Sequence, residues 1–176
     1  MSDGVVRIPL RPPPDLEEAP DADPEELLEL PPGSPARTAF LVKQVLDAAD
    51  AYNRRDFEAL LGFYDPDVEV LIAQLGEGGL WGGDFDESYR GHERFVELTR
   101  QWADVWEDLQ LEPEEIIDEG GDTFALFATW VGRGSGSGAE VATSYQARQT
   151  LVGDRVARVV FWADRELAFR ELDLDP

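Results

Sequence analysis

The stretch over 48–70, Ala-Ala-Asp-Ala-Tyr-Asn-Arg-Arg-Asp-Phe-Glu-Ala-Leu-Leu-Gly-Phe-Tyr-Asp-Pro-Asp-Val-Glu-Val, leaves this chain few ways to fold. It reads as three pieces of structure. One helix ends near Asn53, a short second helix runs from Asp56 to about Phe63, and a strand begins after Pro66. Asp56 suits the N-cap of the second helix, because its carboxylate can accept the free backbone N–H groups of the first turn. Phe57, Leu60 and Leu61 give that helix one apolar face. Pro66 cannot continue a helix, and Val68, Val70 and Ile72 alternate with their neighbours as a half-buried strand does.

The flanks extend this pattern. Ser34-Pro35 reads as an N-cap followed by proline at the first helical position. Leu41, Val45, Ala48 and Tyr52 then fall on one helical stripe, broadened by Phe40, Val42 and Leu46. After the strand at 67–73 comes a loop at 74–88 with five glycines, Trp81, Phe85, Asp84 and Asp86. It is long for a simple connection and reads as a lid or pocket rim. A long helix is expected over about 92–108, with Phe95, Leu98, Trp102 and Val105 on one face. Strands are expected over 111–118, 123–131, 140–152 and 155–162, joined by Glu119-Gly120-Gly121-Asp122, a Gly/Ser hairpin at 132–138, and Gly153-Asp154. Phe124, Leu126, Ala128 and Trp130 share one strand face. Consecutive strands with short turns pair antiparallel. Helices packed on one face of such a bent sheet form an α+β cone.

Composition narrows the functional classes. The chain has no cysteine, which excludes disulfide and thiolate chemistry, and its single histidine excludes a multi-histidine metal site. Its formal net charge of −23 repels nucleic acid and anionic membranes. No long apolar run and no leader pattern is present, so a cytoplasmic protein is expected. Residues 1–35 hold nine of the twelve prolines, and nine acidic residues against Arg7 and Arg11. Such a segment buries too little apolar surface to offset its ordering entropy. It is expected to be a disordered acidic tail, with 36–176 as the folded domain. A docked turn at 25–30, carrying Leu27, Leu28 and Leu30, is the alternative.

Several motifs together resemble a known family. The helix, Asn53-x-x-Asp56-Phe57, the short helix and Tyr64-Asp-Pro-Asp-Val-Glu-Val70 are similar to the opening of SnoaL-like domains of the nuclear transport factor 2-like superfamily. Tyr89-Arg90-Gly91-His92-Glu93, the Gly-rich hairpin and Asp164-Arg165-Glu166-Leu167-Ala168 continue the resemblance, which spans roughly 36–172. It implies a cystatin-like α+β cone, with helices packed in a strongly curved antiparallel sheet around an apolar pocket. It also implies a homodimer through the outer sheet face, where Phe127, Val131, Val160 and Trp162 would otherwise meet water.

On this template the pocket wall is expected to hold Tyr52, Leu98, Trp102, Leu126, Trp130, Gln149 and Phe161, with Tyr64 and Tyr145. Plain core packing is the competing reading of the aromatics. The catalytic candidates are Tyr64 and Tyr145, whose hydroxyls need partners when buried, His92, the chain's single imidazole, and Asp84 in the lid. The family's known constellations are absent. Where the ketosteroid isomerase branch has its tyrosine, base and protonated acid, this chain has Ala48, Ile72 and Ala147 or their neighbours. Where the epoxide hydrolase branch has Arg-x-Asp, it has Arg148-Gln149-Thr150, and the dehydratase branch uses more histidine than this chain owns. Two functions stay open. One is a cofactor-free and metal-free acid–base enzyme (cyclase, isomerase or dehydratase) acting on a polyketide-, steroid- or terpenoid-like ligand. The other is a non-catalytic ligand-binding or dimeric interaction module.

Overall fold

The computed structural model describes residues 4–12, 14, 21–74, 86–134 and 138–174. The chain enters α2 (Pro35–Asn53) at Ser34, with proline at the first position, where its missing N–H costs nothing. Arg55, at φ 57°, turns the chain into α3 (Phe57–Leu61), and the Asp56 carboxylate accepts the Ala59 N–H at 3.0 Å. β2 (Tyr64–Gln74), β3 (Ser88–Arg90), α4 (Gly91–Val105), β4 (Trp106–Asp118), β5 (Thr123–Gly134), β6 (Glu140–Val152), β7 (Arg155–Trp162) and α5 (Arg165–Glu171) follow. Two elements precede α2: β1 (Val6–Pro9) and α1 (Pro24–Glu29).

The strands form one curved, unclosed sheet in the order β1-β4-β5-β6-β7-β2-β3. This is the α+β cone, with α2 and α4 against its inner face. The run β4 to β7 is antiparallel throughout, as short turns dictate. β2 pairs with β7 in parallel, a departure from the all-antiparallel expectation. β3, α4 and three further strands lie between these two in the chain, so no hairpin fixes their relative direction. The main core unites α2, α4 and the inner sheet face.

Residues 4–10 and 23–34 differ from the expected solvated tail. β1 adds an edge strand, pairing Val6 with Asp118 and Ile8 with Ile116. Ile8, Leu10, Leu27 and Leu28 join the main core. A fully buried ion pair fastens this segment. Arg37 Nη2 donates to Asp118 Oδ1 at 2.7 Å, and its Nη1 donates to the Leu28 and Gly121 carbonyls at 2.6 and 2.8 Å. Asp118 also accepts the N–H groups of Gly33 and Gly120. Few apolar residues suffice here because each is buried, and the pair satisfies the turns between them.

The outer sheet face carries a second core. Ile117, Ala125, Phe127 and Trp162 pack beneath Ala168 and Phe169 of α5. Asp164 caps α5 by accepting the Leu167 N–H at 2.7 Å. Phe127 and Trp162, expected to be left open for a partner, are 0% and 6% exposed within the single chain.

Candidate functional site

The cavity of the cone lies between α2, α4 and the inner face of β5, β6 and β7. α2 presents Gln44, Ala48 and Tyr52, one residue per turn, and α4 presents Phe95, Thr99 and Trp102. The alternation of β5 brings Phe124, Leu126 and Trp130 inward, and that of β6 brings Tyr145 and Gln149. The cavity measures about 60 Å³. One water needs about 10–15 Å³, and a cavity of about 150 Å³ admits a benzene ring. As it stands the space suits a few waters, and a ring enters only if a wall side chain moves.

The inner end is a cluster of rings around Trp130, which is 2% exposed. Tyr52 lies parallel to it, with planes 2° apart and centroids 6.2 Å apart. Trp102 meets it edge-on at 4.7 Å, and Tyr145 tilts against it at 5.3 Å. Trp130 is therefore close-packed on several sides as well as lining the space.

The polar groups of the wall are three phenols, the Gln44 and Gln149 amides and the Thr99 hydroxyl. Burial pushes the Tyr64 hydroxyl up from its ordinary 10.0 to about 12. Burial pushes Tyr52 higher still, opposed weakly by Arg55. Tyr145 is raised well above its ordinary value by burial, then by Tyr64 and Tyr52 beside it. Tyr52 and Tyr145 both pack against Trp130, and Tyr64 packs against Phe95 with centroids 4.3 Å apart. All three are neutral O–H groups at physiological pH, able to donate. The Tyr52 hydroxyl is buried and has no hydrogen-bond partner among the described residues. The Thr99 hydroxyl is already committed to the Val96 carbonyl at 2.9 Å. No carboxylate, imidazole, ammonium or guanidinium lines the cavity among the described residues.

The structure gathers most of the expected wall: Tyr52, Tyr64, Trp102, Leu126, Trp130, Tyr145 and Gln149. Leu98 and Phe161 are corrected to core positions. Leu98 is fully buried, and Phe161 backs the wall against Trp102 and Tyr145, with centroids at 5.5 and 5.2 Å. His92 is likewise not on the wall. Its Nε2 lies 2.9 Å from the Tyr64 carbonyl oxygen, tying the start of α4 to β2, and it borders a separate groove beside Leu61 and Arg100. Asp84 falls outside the described residues. Sequence reasoning missed Gln44, although it stands one turn before Ala48 on the same stripe.

The SnoaL-like domain family model matches residues 45–159. No curated protein matches the sequence. Among solved structures, TerC co-crystallised with polyporic acid is similar at 23% identity and a TM-score of 0.60, covering 76% of this chain and 97% of that one. A protein with a ketosteroid isomerase-like fold from Catenulispora acidiphila DSM 44928, in complex with trimethylamine, is similar at 14% identity and a TM-score of 0.57, over 76% and 94% of the two chains. A putative polyketide cyclase from Xanthomonas campestris pv. campestris is similar at 18% identity and a TM-score of 0.54, over 73% and 93%. At these identities the likenesses establish the fold.

Proposed function

The chain belongs to the SnoaL-like domain family, and from that premise we propose that its cavity binds an apolar, ring-bearing small molecule with an oxygen function. Polyketide-, steroid- and terpenoid-like compounds are the class. The observation that carries this reading is the presence of three neutral phenols in a mainly apolar cavity, with the Tyr52 hydroxyl unpartnered among the described residues. A buried hydroxyl without a partner is costly, and a ligand oxygen would complete it. That TerC was crystallised with polyporic acid, and the C. acidiphila protein with trimethylamine, supports a small-molecule role.

The phenols could also polarise a bound carbonyl and hold charge developing on its oxygen. Cyclisation, isomerisation or dehydration further needs a group that removes a proton, and the described wall holds none near neutral pKa. Binding without turnover is therefore the primary reading, and acid–base catalysis the second. The test uses two probes that differ in one hydroxyl, 4-fluorophenol and 4-fluorotoluene, titrated by fluorine NMR. The phenol should bind about three- to tenfold tighter, the worth of one hydrogen bond. Equal or weaker binding of the phenol would remove the tyrosine phenols from the site.

A further inference from the structure

The cavity is smaller than the ring it is read to bind, so some part of its wall must open. Trp130, Trp102 and Tyr145, at the inner end, are buried. Gln44, Ala48, Phe63 and Tyr64 are only partly buried, and they lie together where α2 faces the α3–β2 junction. Leu151 and Val156, which also line the space, place the β6–β7 turn at the same end.

Hydrogen bonds between elements hold this rim, among them one from the Leu151 N–H to the Asp122 carbonyl at 2.8 Å. The Val156 N–H donates to the Phe63 carbonyl at 2.9 Å, backbone to backbone. The Gln44 side chain donates through Nε2 to the Asp154 carbonyl at 2.9 Å, joining α2 to the turn across 110 residues of chain. Leu151 and Val156, at the base of the turn, are buried in the main core, and only the tip around Asp154 lacks apolar cover. Val152 is 62% exposed, and Gly153 sits at φ 61°, the left-handed conformation that glycine adopts without strain. Of these bonds, the one from Gln44 is solvent-reachable and rests on a flexible side chain, so it is the cheapest to break.

We propose that Gln44 is the latch of the cavity mouth: its hydrogen bond to Asp154 keeps the β6–β7 turn against α2, and its release admits a ring-bearing ligand toward the tyrosines. This rests on the binding reading above. Gln44 acts by holding the rim, so its removal should change the speed of exchange more than the affinity.

The experiment measures exchange of 4-fluorophenol with the full chain by fluorine relaxation dispersion and line shape, in the wild type, Gln44→Met and Gln44→Ala. Gln44→Met keeps the length and apolar stem of the side chain and loses the donor. Association and dissociation should both quicken about three- to tenfold in Gln44→Met, while Kd moves less than about twofold. Gln44→Ala should behave alike, which separates the lost bond from any packing defect of the methionine. Unchanged rates with normal wild-type binding would overturn the latch and leave the cavity reading intact. A weaker Kd carried by dissociation alone would also overturn it, because Gln44 would then be a ligand contact. Failure of the wild type to bind the probe would overturn both.

Discussion

Tyr52→Phe should make the protein more stable and a poorer binder. The hydroxyl is buried without a partner among the described residues, and burial has pushed its pKa up. Leaving such a group unsatisfied costs about 1–3 kcal/mol, and phenylalanine removes the cost while keeping the ring against Trp130. A gain of about 1–2 kcal/mol should raise Tm by roughly 2–8 °C in a domain of this size. The denaturant midpoint should rise with the slope unchanged, since no surface is added or lost on unfolding. In the same samples, the preference for 4-fluorophenol over 4-fluorotoluene should shrink. The opposite sign would refute the reasoning. A loss of 1 kcal/mol or more would show that the hydroxyl is bonded in solution, to water or a neighbouring phenol, and is not waiting for a ligand.

Three further outcomes follow from the same geometry. Asp118→Asn leaves the Arg37 charge buried and uncompensated, so it should cost about 3–5 kcal/mol and expose 4–10 and 23–34 to limited proteolysis, whereas the paired change Arg37→Met with Asp118→Leu should cost far less. Trp130→Ala should cost about 3–5 kcal/mol by urea denaturation, because the ring is close-packed despite touching the cavity; a loss under about 1 kcal/mol would place it beside open space. Above about pH 10 the unfolded chain releases its phenol protons while the folded chain keeps them, so stability should fall as pH rises toward about 12, at about 1.4 kcal/mol per pH unit for each tyrosine held; a flat urea midpoint over that window would show the phenols to be solvated.

The helices and strands were legible because their signals are local. The Asp56 cap, the Leu41–Val45–Ala48–Tyr52 stripe and the alternation of Phe124, Leu126 and Trp130 each act within a few residues. The docking of residues 4–10 and 23–34 was not. It depends on Ile8 pairing with β4 more than a hundred residues away, and on Leu10, Leu27 and Leu28 joining the same core, inside a segment whose average composition reads as disordered. One signal was available: Arg37 stands one turn before Leu41 on the buried stripe of α2, where a charge has to find a partner. The wall residues were placed by strand alternation, which fixes a face but not a depth. Phe161 shares that strand face, Leu98 shares the inward face of α4, and both lie behind the wall. The outer face was misjudged because α5, only seven residues long, covers Phe127 and Trp162.

An unpartnered buried group marks a binding site only where there is room beside it, and Gln146 supplies the contrast. Both polar atoms of its side chain are buried without a partner among the described residues, so by burial alone it would outrank Tyr52. It points to the other side of the sheet, though, between Phe127 and Trp162 on the neighbouring strands, and it is not on the wall that Tyr52 lines. Gln146→Leu should therefore raise the denaturant midpoint, by about 1–3 kcal/mol, as Tyr52→Phe does. Unlike Tyr52→Phe, it should leave the affinity for 4-fluorophenol unchanged. A loss of stability in Gln146→Leu, growing with protein concentration, would mean that a second copy satisfies the amide. The outer face would then be an interface despite its cover of α5. A stabilised variant that still binds the probe would separate the two faces, one holding a strained polar group for packing alone and the other holding it for a ligand.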